Sequence, residues 1–149
     1  MASPAWLVDE MLGRLARYLR ILGCDAEYVR GLSDDELLQH QRRSERVLLT
    51  RDVALARRSE RAQLLRAVDV RAQLVELWRA WPALPRVPRF DRCTECNGPL
   101  VTVPPGEAGN STGGSPQFRC TACGHRYWAG SHTAHLERDL AEWSREVRE

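Results

Sequence analysis

Apolar positions recur at two spacings along this chain, and the alternation between them predicts the fold. A continuous run at about 5 to 9, "AWLVD", and another at 47 to 50, "VLLT", read as strands buried on both faces. After the first run, Met11, Leu12, Leu15, Leu19 and Leu22 recur at helical spacing, and Gly23 is placed to end the helix. A short extended piece follows around Ala26 to Val29, then a helix from about Ser33 to Arg43. The second run leads into a short helix after Asp52. Residues 62 to 66 read as a fourth strand, although "AQLLR" is equally good helix sequence, and Val70, Leu74, Leu77 and Trp81 mark an amphipathic helix beyond it. Strands alternating with helices imply an α/β fold whose central parallel sheet carries helices on its faces.

The periodicity changes after residue 81. The Pro-rich "PALPRVPRFDR" at 82 to 92 reads as a connection, and a last helix carries Leu136, Leu140, Trp143 and Val147 on one side. The organisation expected is therefore a first domain over 1–82, a linker over 83–91, and a second module over 92–149 ending in that helix. No internal repeat is evident apart from a pair of C-x2-C motifs.

The cysteines give this second module its chemistry. Four of the five form Cys93-x2-Cys96 and Cys120-x2-Cys123, and Cys24 stands apart. Residues 97–119 separate the pairs, slightly more than in most zinc sites, and the excess falls in "PPGEAGNSTGGSPQ" at 104 to 117, which reads as a flexible loop. Four thiolates suit a tetrahedral Zn better than a hard cation and leave no position open for water, so the expected metal is structural. Two disulfides are the alternative, disfavoured in a chain without an export signal.

Composition adds bounds. With 149 residues and 43% hydrophobic content the chain can build one ordinary core plus a small module. It has no apolar run of about eighteen residues and no charged-then-apolar leader, so neither membrane insertion nor export is expected and a cytoplasmic location is. All 22 basic residues are Arg, which suits bidentate phosphate binding, but the net charge of +2 decides nothing.

Carboxylates supply the candidate chemistry of the first domain. In a parallel sheet, ligands bind outside the carboxyl ends of the strands, and both buried runs end on an acid, Asp9 and Asp52. Asp34, Asp35 and Glu36 open the helix that starts at Ser33 and face the same edge. Each has a purely structural explanation: Ser33 with Glu36 is a capping box, first-turn acids favour the helix dipole, and Asp9 or Asp52 can cap the helix that follows it. Convergence weighs the other way. Several carboxylates at one edge repel unless a divalent cation neutralises them, and oxygen ligands suit Mg or Mn, which favour phosphate chemistry.

The segments "LVDEMLGRLARYLRILG", "SDDELL", "RVLLTRD", "RCTECNGPL" and "FRCTACGHRYWAGSH" occur in this order, and together they resemble the Mut-seven C-terminal RNase domain family over nearly the whole chain. The resemblance implies a PIN-like α/β domain followed by a zinc ribbon. It also implies a metal-dependent ribonuclease acting on RNA, in which Asp9, Asp34, Glu36 and Asp52 are catalytic and hold Mg or Mn. Asp35 can replace either helix acid, because the register of that run is ambiguous. Glu10 and Asp69 are secondary candidates, Asp69 as an outer ligand only, since it is equally a helix N-cap. Cys93, Cys96, Cys120 and Cys123 match the Zn ligands of the ribbon. The stretch Gln39, His40 and Gln41 departs from the family pattern and is expected to be a surface change.

No protein nucleophile is required by such hydrolysis. Arg14 and Arg51 are the expected substrate-binding residues, gripping phosphate, and Arg17 is expected to be solvated. Arg126, Tyr127 and Trp128 are candidates for stacking on unpaired bases, with ribbon packing an equal claim on Trp128. His125, His132 and His135 are expected to be surface or packing residues, and Cys24 a small buried one. The RNA expected is single-stranded, with no sign of a membrane or antitoxin partner. The competing reading is a non-catalytic RNA-binding or protein-docking module on the same fold.

Overall fold

A computed structural model of the chain describes residues 3–108 and 116–148. Four parallel strands form the main sheet: β1 Trp6–Val8, β2 Ala26–Tyr28, β3 Val47–Thr50 and β4 Ala62–Leu64, in the order β2-β1-β3-β4. The central pair is aligned with Trp6 beside Val47 and Val8 beside Leu49. Every residue of β1 and β3 is buried, whereas the edge strands are only partly so, which is why the central strands read as unbroken apolar runs.

Side chains alternate between two cores. Trp6, Val8, Val47 and Leu49 face α1 (Gly13–Ile21) and α4 (Val70–Ala80). Leu7 and Leu48 face α2 (Asp34–Ser44) and α3 (Val53–Arg58) through Leu37, Leu38 and Leu55. The helices thus divide between the faces according to whether the chain steps to one side of β1 or the other, as right-handed crossovers require.

A second sheet is antiparallel: β5 Leu100–Thr102, β6 Gln117–Cys120 and β7 Arg126–Trp128. The tract expected to be a loop begins with a helical turn, α5 (Pro105–Ala108), made possible by Pro105 at its first position; residues 109–115 lie outside the described residues. The last helix, α6 (Ser131–Arg145), returns to the first domain. Its Leu140 is fully buried in the α1–α4 core, and Trp143 meets Tyr18 with ring centroids 5.7 Å apart.

Two details differ from the sequence pattern. Met11 is 51% exposed, because Glu10–Leu12 is a 3-10 turn that breaks phase with α1 and directs only Leu12 inward. Gln41, expected on the surface, is buried: its amide donates to the Arg46 carbonyl (2.9 Å) and accepts from the Ser59 hydroxyl (3.1 Å), tying α2 to the turns around it.

The Cys module docks on the outer edge of β2. The Ala26 N–H donates to Asn97 Oδ1 (2.9 Å), and its carbonyl accepts from Arg20 Nε (2.9 Å), while Arg20 Nη1 reaches the Thr94 carbonyl (3.1 Å). An exposed sheet edge is thereby covered. Asn97 holds φ at 69° and also donates to Asp25 Oδ1 (2.7 Å). Burial pushes the Asp25 carboxyl up, but hydrogen bonds from Arg46 and Asn97 outweigh it and hold the group below its usual value. Its contribution to stability is therefore present above the unfolded carboxyl's pKa and lost as pH falls through the lower folded one. Asn97→Gly keeps the left-handed backbone and deletes both bonds, so it is expected to cost about 1–3 kcal/mol in denaturant unfolding of the Zn-loaded protein.

Candidate active site and metal centre

The strand order reverses between β1 and β3: the chain leaves β1 toward β2 on one side and leaves β3 toward β4 on the other. In open parallel sheets, ligands bind outside the carboxyl ends of the strands at such a switch point. Asp9 and Asp52 stand there. Asp9 continues the β1 ladder by one bond, its N–H donating to the Leu49 carbonyl (3.0 Å).

Thr50, fully buried at the end of β3, joins the two acids. Its hydroxyl donates to Asp9 Oδ2 (2.7 Å) and accepts from the Asp52 N–H (3.0 Å). Each acid is also a helix cap, Asp9 Oδ1 accepting from the Glu10 N–H (2.9 Å) and Asp52 Oδ1 from the Leu55 N–H (3.1 Å). Capping and cation binding are compatible, because an ionised carboxylate offers about four lone-pair sites. Arg51 lies between Thr50 and Asp52 with its side chain exposed, and Arg14 is exposed in the first turn of α1.

The α2 acids are arranged differently. Ser33 and Glu36 form the expected capping box, with bonds of 3.0 and 3.1 Å, and the Ser33 N–H and hydroxyl hold the Glu36 carboxyl below its usual value. Asp35 pairs with Arg58 of α3, and Asp34 is exposed. Asp69 caps α4 through the Ala72 N–H (2.9 Å), and Glu10 is exposed in the 3-10 turn. These acids line the edge without closing into a cage. Among the described residues, only the four cysteines form a group of three or more His, Cys, Asp and Glu ligand atoms lying within 4.8 Å of one another.

That cysteine group comes from two knuckles facing each other. Cys93 Sγ lies 3.6 Å from Cys123 Sγ and Cys96 Sγ 3.4 Å from Cys120 Sγ, far beyond a disulfide bond of about 2.05 Å and near the about 3.8 Å expected between thiolates around a tetrahedral Zn. Backbone N–H groups point at the sulfurs: Gly98 at Cys96, and Ala122 and Cys123 at Cys120, each at 3.4 Å. Burial pushes the Cys120 thiol up, but the Cys123 and Ala122 amides and the neighbouring thiols outweigh it and lower it, whereas Cys96, despite the Gly98 amide, is pushed up by burial and the other thiols. The donor set, spacing and amides are compatible with zinc. Gly98 belongs to this geometry, since a Cβ there would sit 2.8 Å from Cys120 Sγ.

The Mut7-C RNAse domain model matches residues 4–140, covering both the acidic edge and the ribbon. The chain belongs to this family. No curated protein and no solved structure matches it. Membership in the Mut7-C family points to a nuclease-like role with RNA as the substrate class. Among the described residues, no helix is long and apolar enough to cross a membrane.

Thr50 is the site residue that the sequence pattern passes over, being the last position of an apolar strand. Its signal was the Thr-x-Asp spacing, which lets a hydroxyl accept from the N–H two residues on. Thr50→Val preserves shape but leaves the Asp52 N–H without its partner and Asp9 Oδ2 without its donor. Stability is expected to fall by about 1–3 kcal/mol in urea unfolding with an unchanged m-value.

The remaining candidates are distributed between ribbon and core. Tyr127 is half-buried, with its hydroxyl 3.0 Å from Cys93 Sγ, whereas Trp128 is 41% exposed. His125 packs on Tyr127 at 4.9 Å, His135 accepts a bond from Arg138, and Cys24 is buried beside Ser3.

Proposed function

We propose that the chain is a metal-dependent ribonuclease that hydrolyses single-stranded RNA at the carboxyl edge of its parallel sheet. One observation carries this reading: Asp9 and Asp52 stand at the ends of the two adjacent central strands, where one Thr50 hydroxyl donates to the Asp9 carboxylate and accepts from the Asp52 N–H. Mg is commonly held by one or two carboxylates together with substrate phosphate, so this pair fits such an ion without a protein cage. Bound there, Mg or Mn would activate water and neutralise charge on the phosphate.

The protein's own share is placement. Asp9 and Asp52 hold the cation, with Thr50 fixing the orientation of Asp9. Asp34 and Glu36 extend the negative edge, and the Asp35–Arg58 pair favours Asp34 over Asp35 in that role. Arg51 and Arg14 grip phosphate on either side. The ribbon contributes a structural Zn on Cys93, Cys96, Cys120 and Cys123, consistent with four thiolates and no open position.

A second reading, a non-catalytic RNA-binding or docking module, draws support from the open spacing of the acids and from the engagement of Glu36 in its capping box. Calorimetric titration of Mn into the Zn-loaded protein separates the two. The nuclease reading expects Mn binding that Asp52→Asn weakens by at least about tenfold; equal Mn affinity in the two proteins favours the module.

A further inference from the structure

Arg14, Arg17, Tyr18 and Ile21 are spaced to lie along one side of α1, away from Leu15, Ala16 and Leu19, which are buried in the core. These four line a cleft of about 480 Å³ whose other walls are the linker, the ribbon and the start of α6, through His132, Thr133 and Leu136. From the linker come Arg89 and Phe90, from the start of the ribbon comes Arg92, and from β7 comes Tyr127. The two rings on this side, Phe90 and Tyr127, are held in place. Phe90 lies flat on Phe118, with centroids 4.8 Å apart and planes 2° apart, and the Tyr127 hydroxyl accepts from the Thr94 N–H (3.2 Å).

Charge in the cleft is one-sided. Among the described residues it is lined by four guanidiniums and no carboxylate. Arg17 has Glu95 at 3.6 Å, but both side chains are more than half exposed, and such pairs contribute little. Arg92 lies 3.9 Å from Asp25 and donates to the Asn97 carbonyl (3.2 Å). The guanidiniums of Arg14 and Arg89 enter no ion pair or hydrogen bond among the described residues. An apolar ligand would leave these cations desolvated, and a small anion would leave the aromatic walls unused. A nucleotide supplies phosphate for the first and a base for the second.

Position narrows the ligand further. Arg14 is in the first turn of α1, close in sequence to Asp9, and Ile21 lies on the order of 10 Å farther along the helix. Bases reach aromatic walls only when unpaired, since a duplex keeps them stacked inside. We propose that this cleft is a second RNA contact, taking an unpaired stretch of the strand whose scissile bond lies at Asp9 and Asp52. The placement of that bond rests on the ribonuclease reading; the binding itself does not.

The test measures fluorescence anisotropy of a labelled mixed-sequence single-stranded RNA, and of its duplex, with Zn-loaded Asp52→Asn protein and no added Mg or Mn. Removing Arg17 and Arg89 together (R17A/R89A) is expected to raise Kd at least tenfold and to lower the slope of log K against log salt by about 1.4, for two phosphates on a single strand. Removing two exposed arginines of α2 instead (R42A/R43A) is expected to leave both nearly unchanged, and the duplex is expected to bind at least tenfold more weakly. Unchanged affinity in R17A/R89A, an equal loss in R42A/R43A, or equal binding of the duplex would each overturn the proposal. Because no cleavage is read, RNA binding through the cleft by a protein that never cuts would sink the nuclease reading alone. Cutting without any effect of R17A/R89A on binding would sink the cleft alone.

Discussion

Asp52→Asn is expected to lower kcat/KM for RNA cleavage by at least about 100-fold, or roughly 2.7 kcal/mol of transition-state stabilisation, while leaving the fold intact. The fold survives because Asn is as good a helix cap as Asp: its side-chain oxygen can still accept from the Leu55 N–H. The Asp52 N–H keeps Thr50 as its acceptor. What disappears is a negative charge at the switch point, and with it half of the carboxylate pair proposed to hold the cation. Asp9→Asn is the less clean companion. Asp9 accepts on both oxygens, and an amide nitrogen facing the Thr50 hydroxyl would break the bond that couples the two strand ends. A thermal scan showing native stability beside a lost rate is the outcome expected of Asp52→Asn; a normal rate would remove Asp52 from the site.

Loss of zinc is the second large effect expected. Among the described residues the ribbon has three short strands and few apolar side chains, of which Val101 is 40% exposed and Trp128 41%, so its own core is too small to hold it. Structural Zn sites in isolated peptides contribute about 10–16 kcal/mol of apparent binding energy, and that energy is folding energy. Chelation or Cys96→Ser is therefore expected to loosen residues 92–108 and 116–130, seen as faster hydrogen exchange there. The four-stranded sheet should keep its protection. The effect has two boundaries set by packing. Leu140 is buried against α4 and should hold α6 in place, whereas release of Asn97 and Thr94 uncovers the edge of β2 and should raise exchange at Ala26. Unchanged exchange over 92–108 and 116–130 after zinc removal would contradict a structural role for the metal.

The sequence revealed most where one physical requirement acted alone. Strands buried on both faces must be apolar throughout, so "WLV" and "VLLT" announced the centre of the sheet, and the acids after them announced its carboxyl edge. Ser33 with Glu36 announced a capping box that forms, and C-x2-C twice announced a thiolate cluster that assembles. Misreadings arose where two requirements met. Met11 keeps helical spacing, yet a 3-10 turn at Glu10–Leu12 rotates it outward. Gln41 is polar, yet it is buried because neighbouring turns need a donor and an acceptor. The docking of the ribbon through Arg20, Asn97 and Asp25 spans more than 70 residues, and no local pattern encodes it. The acidic edge itself was legible as a direction, but not how its members are divided. Glu36 serves a cap and Asp35 an ion pair, and only Asp9 and Asp52 share a partner.

The most direct measurement is cleavage of a mixed-sequence single-stranded RNA by the Zn-loaded protein with Mn, with Mg and with neither, beside Asp52→Asn prepared identically. Cutting that requires Mn or Mg and that the variant lacks is the expected result. Cutting without added metal, cutting by the variant at the native rate, or no cutting by either protein would contradict it.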